Sequence, residues 1–205
     1  MDLNVNVIDP GRTSALALYP SLRTFLFREI EAKWLSESNR AALLLPYIDA
    51  DVLWVIEDGA GFRNQMTARA FERSQCKWYG ALRLLNVEPA FVNVKTWHHC
   101  LDVYGVARRT DATRVESGLP KLPRDERVKA AVAQILKDLL GYLAPNDHEA
   151  DALATAHAIH SGLKSGELAV ENKGERRTIV SRTSTVHRSG TRGARKHSSR
   201  QRKLL

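Results

Sequence analysis

The 205 residues read as an α/β domain whose mixed β-sheet is flanked by helices, with a basic C-terminal tail. Three observations carry this reading. Strand-like alternation lies on both sides of the turn Asp9-Pro10-Gly11. Two short apolar runs, Val52–Ile56 and Pro89–Val94, bracket a stretch with helical periodicity. The positive charge is concentrated at the C-terminal end, away from the patterned part of the chain.

Leu3, Val5 and Val7 alternate with Asn4 and Asn6, the period of a half-buried strand. Asp9-Pro10-Gly11 turns the chain, and Ser14–Tyr19 returns as the second strand of a hairpin. Residues 25–31 are expected to add a third strand, and Ser38–Tyr47 a helix with Pro46 near its end. The unbroken run Val-Leu-Trp-Val-Ile at 52–56 is that of a strand covered on both faces; it stops at Glu57-Asp58-Gly59. Met66–Leu85 places Ala70, Phe71, Trp78, Ala81, Leu82 and Leu85 near helical spacing. Strand, helix and strand make a βαβ unit, so the two strands should be parallel. Residues 106–125, rich in Arg, Asp, Thr, Pro and Gly, are expected to form a loop in which Arg108, Arg109 and Arg114 face solvent or DNA. Val128–Leu143 is an amphipathic helix, and Asn146 with Glu149 three residues on forms a capping box for a last helix ending near Leu163. One domain, 1–165, and a tail, 166–205, are therefore expected.

Composition excludes several classes. With 43% hydrophobic and 26% charged residues the chain is globular, not disordered throughout or collagen-like. No apolar stretch approaches the roughly 18 residues of a membrane span. The start Met-Asp-Leu-Asn-Val lacks the basic and apolar segments of a secretory signal. Two cysteines, Cys76 and Cys100, cannot staple a fold of this size, and a cytoplasmic setting is the default. Residues 171–205 hold 11 Lys and Arg against 2 acidic residues, a net of +9 in a chain of net +8. From Ser181 onward there is hardly an apolar side chain to offset the entropy of ordering, so a disordered tail is expected. Such a tail serves solubility or, through counterion release, contact with nucleic acid.

Asp9 ends the first strand and Glu57 the most apolar one; His148 and Asp151, three apart, share a face of the last helix. Parallel neighbours would put Asp9 and Glu57 at adjacent strand tips, where α/β sheets hold ligands. Gathered carboxylates repel and need a cation, and oxygen donors favour Mg²⁺ or Mn²⁺ over zinc. Two such ions can activate water and stabilise the leaving oxygen in phosphodiester hydrolysis. The histidine could be a ligand or could position or deprotonate water.

The blocks VNVIDPGRTSALAL (Val5–Leu18), VLWVIEDG (Val52–Gly59) and NDHEADALATAHA (Asn146–Ala158) resemble, in order and spacing, the RuvC family of Holliday-junction resolvases. The resemblance covers residues 3 to about 163. It implies an RNase H-like fold, a homodimer, a divalent metal and paired nicks in four-way DNA junctions that leave 5′-phosphate and 3′-hydroxyl ends. By motif, Asp9, Glu57 and Asp151 match the family's carboxylates. His148 stands where many members have a fourth carboxylate and some have histidine, which leaves open whether it binds metal directly. Lys95 and Lys129 resemble basic residues that contact the scissile region. Phe62, at a longer spacing from Glu57 than in the family, is the candidate to stack on unpaired bases. The sequence VKTW (Val94–Trp97) and the helix from Gln65 look more like phage and organellar relatives than the common bacterial form.

Each residue also has a plainer reading. Asp9 in Asp-Pro-Gly is a turn residue in its own right. Asp58 rivals Glu57 but points to the opposite face of a strand. Asp147 rivals Asp151 but is explained by the helix dipole, and Glu149 by capping. His98-His99-Cys100 lacks the partners of a zinc site. His157 and His160 read as surface or satisfied helix histidines, and Trp34, Trp54, Trp78 and Trp97 mostly as core anchors. Two rival functions stand beside junction cleavage: an RNase H-like nuclease of RNA–DNA hybrids or single strands, and an inactive protein that binds branched DNA.

Overall fold

The computed structural model describes residues 3–11, 13–27, 36–59 and 65–182. A seven-stranded mixed sheet forms the centre: β1 (Asn4–Asp9), β2 (Ser14–Tyr19), β3 (Arg23–Phe27), β4 (Val52–Asp58), β5 (Ala90–Asn93), β6 (Leu168–Lys173) and β7 (Arg176–Ser181). Their spatial order is β3-β2-β1-β4-β5-β7-β6. β1, β2 and β3 pair antiparallel, whereas β1–β4, β4–β5 and β5–β7 are parallel. The helices are α1 (Glu37–Leu44), α2 (Gln65–Leu84), α3 (Val94–Cys100), α4 (Val103–Glu116), α5 (Arg124–Leu140) and α6 (Asp147–Ser165), with a 3₁₀ turn at Leu45–Tyr47.

Strand alternation divides the core into two layers. Val5, Val7, Ala15, Ala17 and Val55 face α6 and pack with Leu153, Ile159, Val132 and Leu136. Ile8, Leu16, Trp54 and Ile56 face the other way, onto Ala41 and Leu44 of α1 and Trp78, Ala81 and Leu82 of α2. The small side chains at 15 and 17 meet a helix that is itself alanine-rich, so α6 lies close across β1 and β2. Full burial of Leu153 and Ile159 contributes about 1.5–3 kcal/mol each. α6 starts at Asn146, whose side chain accepts the Glu149 N–H at 3.1 Å, and ends at Gly166, φ 78°. A left-handed residue ends a helix without steric penalty only when it lacks Cβ.

Two expectations fail. Of residues 106–125, expected to form a loop, 124–125 open α5 and 106–116 belong to helix α4, which turns back on α5. Its Arg and Asp content hid a buried strip of Val103, Gly105, Ala107 and Asp111. Asp111 fastens the helical hairpin: it accepts the Leu122 N–H at 3.2 Å and pairs with Arg127 at 3.2 Å. Arg109 is bound to Asp102 at 3.2 Å, and Arg114 donates to the Pro120 carbonyl at 2.7 Å. The tail does not begin at residue 166 either. β6 and β7 form an antiparallel hairpin whose second strand adds to β5, with Leu168 and Ile179 buried. The basic stretch from residue 183 on lies outside the described residues, as does the part of the expected third strand beyond Phe27. Among the described residues no helix is long and apolar enough to cross a membrane.

Candidate active site

Strand parity places the acidic side chains. In the β1–β4 register Val7 lies beside Val55 and Ile8 beside Ile56, so Asp9 and Glu57 each follow that last pair at neighbouring parallel strand tips. Val7 and Val55 face α6, and two residues further on each strand Asp9 and Glu57 face it as well. Asp58 falls on the other face, where its carboxylate accepts from the Gln75 amide of α2 at 3.1 Å. The same amide donates to the Glu57 carbonyl at 3.0 Å and pins the strand tip from behind.

α6 supplies the opposing wall. His148, Asp151 and Thr155 follow one another at intervals of three and four, which sets them on one stripe. His148 Nδ1 meets Asp9 Oδ2 at 3.1 Å. The other oxygen of Asp9 accepts the Gly11 N–H at 3.2 Å, so the turn reading and the site reading of Asp9 hold together. Thr155 and Trp97 donate to Oε2 of Glu57, at 3.5 and 3.2 Å. Asp9 and Glu57 are nearly buried, at 7% and 8% exposure.

The electrostatics show one shared field. Burial, then the charges of Asp9 and Asp151, push the Glu57 carboxyl well above its ordinary range, against the two hydrogen bonds. Asp151 is pushed up to about 7 by burial and by Asp9, with His148 and Lys129 opposing. His148 is raised by its bond to Asp9, opposed by burial. Such a group of acids, short of positive charge, is what a cation would relieve. The donors are oxygens with one imidazole, a set suited to Mg²⁺ or Mn²⁺. Among the described residues, no three His, Cys, Asp or Glu side chains are yet gathered at a cation's bonding distance. Both oxygens of Asp9 are engaged, by Gly11 and by His148.

No family model matches the chain, and no curated protein matches it. Among solved structures, RuvC of Thermus thermophilus in complex with a Holliday junction substrate superposes over 80% of this chain and 96% of its own, with a TM-score of 0.52 at 16% identity. A second Thermus thermophilus RuvC structure gives 0.50 at 15%, with the same coverage. The chain has the fold of RuvC. At these identities the likeness is one of architecture, and it matches the RNase H-like mixed sheet with flanking helices.

On this RuvC fold, Asp9, Glu57, His148 and Asp151 come together. Lys129, on α5, is exposed but reaches the rim of the site, where its ammonium pairs with Asp147 at 2.7 Å. Lys95 is exposed at the start of α3, its N–H held by the Asn93 cap at 2.9 Å. Phe62 lies outside the described residues. His98, in the rejected zinc triplet, is buried, pushed down to about 4 and bonded through Nδ1 to the Tyr104 hydroxyl at 3.2 Å. His157 and His160 meet the Tyr19 hydroxyl at 3.1 Å and the Leu3 carbonyl at 2.7 Å. Glu149 does more than cap: Thr24 donates to it at 2.7 Å and ties β3 to α6.

Sequence reasoning passed over Trp97 and Thr155. Thr155 was legible as the next position on the His148–Asp151 stripe. Trp97 carried a weaker signal, the need of a buried indole N–H for an acceptor.

Proposed function

We propose that this protein is a metal-dependent, structure-selective DNA endonuclease that resolves four-way junctions by paired nicks, working as a homodimer so that each strand pair meets its own site. The observation that carries the reading is the meeting of acids from three separate segments at the strand tips: the charges of Asp9 and Asp151 both bear on the Glu57 carboxyl, and that of Asp9 on Asp151. The RuvC fold supports it, and one of the matched RuvC structures holds a Holliday junction substrate.

Asp9, Glu57 and Asp151 would hold two Mg²⁺ or Mn²⁺ ions, with His148 as a fourth ligand or as a positioning group. When bound, the ions activate water and neutralise charge on the leaving oxygen. The rest falls to the chain. His148, bonded to Asp9 through Nδ1, would orient the attacking water or, as the neutral imidazole, take a proton from it. Lys129, exposed at the rim, and Lys95, exposed on α3, would meet phosphate and offset the charge that develops there.

The test is cleavage of a labelled synthetic four-way junction in Mg²⁺, beside three-way, flap, linear and RNA–DNA hybrid substrates. Wild type should prefer the four-way junction. Asp9→Asn and Glu57→Gln should stop cleavage and leave junction binding in Ca²⁺ intact. Undiminished cutting by either variant would defeat the site assignment, and a preference for hybrids would defeat the junction reading.

A further inference from the structure

Glu57 is a long, flexible side chain placed where two other acids, Asp9 and Asp151, repel it. Left free, its carboxylate would swing away from them. Two donors prevent this, and both meet the same oxygen. The Trp97 indole N–H reaches Oε2 at 3.2 Å and the Thr155 hydroxyl reaches it at 3.5 Å. Oε1 accepts from neither.

Both donors are rigidly placed. Trp97 is 1% exposed and Thr155 fully buried. Trp97 stands on α3, a helix of two turns that the Asn93 side chain caps directly after β5. β5 pairs with β4, Glu57 lying opposite Val92, so the helix that brings Trp97 is launched from the strand beside Glu57. Thr155 lies one turn beyond Asp151 on the stripe that faces the strand tips. Both donors are also neutral. A lysine or arginine here would fix the carboxylate equally well but would repel a divalent cation. An indole and a hydroxyl orient the group and leave its negative charge to the ion.

We infer that Trp97 and Thr155 are positioning residues, a pair of neutral donors that hold Oε2 of Glu57 and leave Oε1 to the cation. The inference deepens the proposed metal site and rests on that reading. It gives α3 a role in the site through Trp97, whose indole sets a ligand.

The experiment measures Mn²⁺ affinity by titration calorimetry on the full chain without DNA. Five proteins are compared with wild type: Asp9→Asn, Thr155→Val, Thr155→Ser, Trp97→Phe, and Trp97 replaced by benzothienylalanine, which keeps the bicyclic shape and has sulfur in place of N–H. Loss of an outer hydrogen bond to a metal ligand weakens binding by about 10–100-fold. Thr155→Val and the benzothienyl variant should show a loss of that order with thermal midpoints near wild type, and Thr155→Ser should retain the affinity. The ¹⁵N-indole resonance of Trp97 should move on Mg²⁺ addition in wild type and stay in Asp9→Asn. If Thr155→Val and the benzothienyl variant bind Mn²⁺ like wild type while Asp9→Asn does not, the positioning role is overturned and the metal site stands. If Asp9→Asn also binds like wild type, the metal site itself is overturned and the positioning role with it.

Discussion

His148 Nδ1 lies 3.1 Å from Asp9 Oδ2, a bond that joins the last helix to the tip of the first strand across 139 residues of chain. It is both a structural tie and a proton store, and it makes stability depend on pH in a defined direction. His148 is raised above its ordinary value, principally by this bond.

In the unfolded chain the imidazole titrates near pH 6.5. The stabilisation from the folded pair is therefore complete below about that pH and is lost as pH rises through the higher folded value. We expect the difference in thermal midpoint between wild type and His148→Gln, in EDTA, to be largest at about pH 5.5 and to shrink by about pH 8.5. The effect should be modest, since the His148 side chain is 42% exposed and solvent screens the pair. A difference that grows with pH would contradict the assignment.

Asp151 gives a larger effect. Its carboxyl is pushed up to about 7, largely by burial and by Asp9. The unfolded value is about 3.9. The protonated form fits the fold better, so stability present below about pH 4 is lost as pH climbs through the folded value. Asp151→Asn, which mimics the protonated acid, should be more stable than wild type in EDTA at about pH 8, by up to a few kcal/mol at roughly 1.4 kcal/mol per pKa unit. The gain should vanish near about pH 4. Scanning calorimetry across that range checks both limits.

The β6–β7 hairpin separates two truncations that the sequence alone would treat as one. Ending the chain after Arg182 removes no described element and should leave the thermal midpoint unchanged. Ending it at Gly166 strips the strand from beside β5, exposes its edge and should destabilise the fold severely. Ile179→Ala, at a position 1% exposed, should cost about 2–4 kcal/mol in chemical denaturation. The shorter deletion removes seven basic residues and no acidic one. If the tail engages DNA, the slope of log affinity against log salt should flatten, because fewer counterions are released; an unchanged slope would assign the tail no DNA role.

Lys129 tests the rim of the site. Its pair with Asp147 is more than half exposed on both sides, so Lys129→Ala should change stability by less than about 1 kcal/mol. On the proposed function the same change should slow junction cleavage and leave Mn²⁺ affinity near wild type. Equal loss of cleavage and of stability would make the lysine structural.

Much of the site was legible because strand parity is a hard rule. Because adjacent strand residues point to opposite faces, Asp58 was bound to face away from Glu57, and its bond to Gln75 shows that it does. The three-residue interval between His148 and Asp151 was as plain. The parallel pairing of β4 and β5 followed from the βαβ pattern. What could not be read is where charge and packing compete. α4 is polar on most of its surface and buries only a narrow strip, so composition resembled a loop. β6 and β7 sit inside a basic stretch, and their strand character rests on Leu168, Ala169 and Ile179, too few apolar positions to stand out. Trp97 looked like ballast for the core because nothing in one dimension shows which acceptor its N–H will meet.

The division at the tip of β4 has a consequence for how this protein can change. Glu57 and Asp58 are neighbours in sequence, yet one looks toward α6 and the other toward α2, where Gln75 already occupies it. Loss of one residue between Val52 and Ile56 would therefore turn Asp58 toward α6 with a side chain one methylene shorter, and bury the glutamate on the far side. Point substitutions near this tip can tune the site by degrees; a frame of two residues per step means that deletions there act as an all-or-none change.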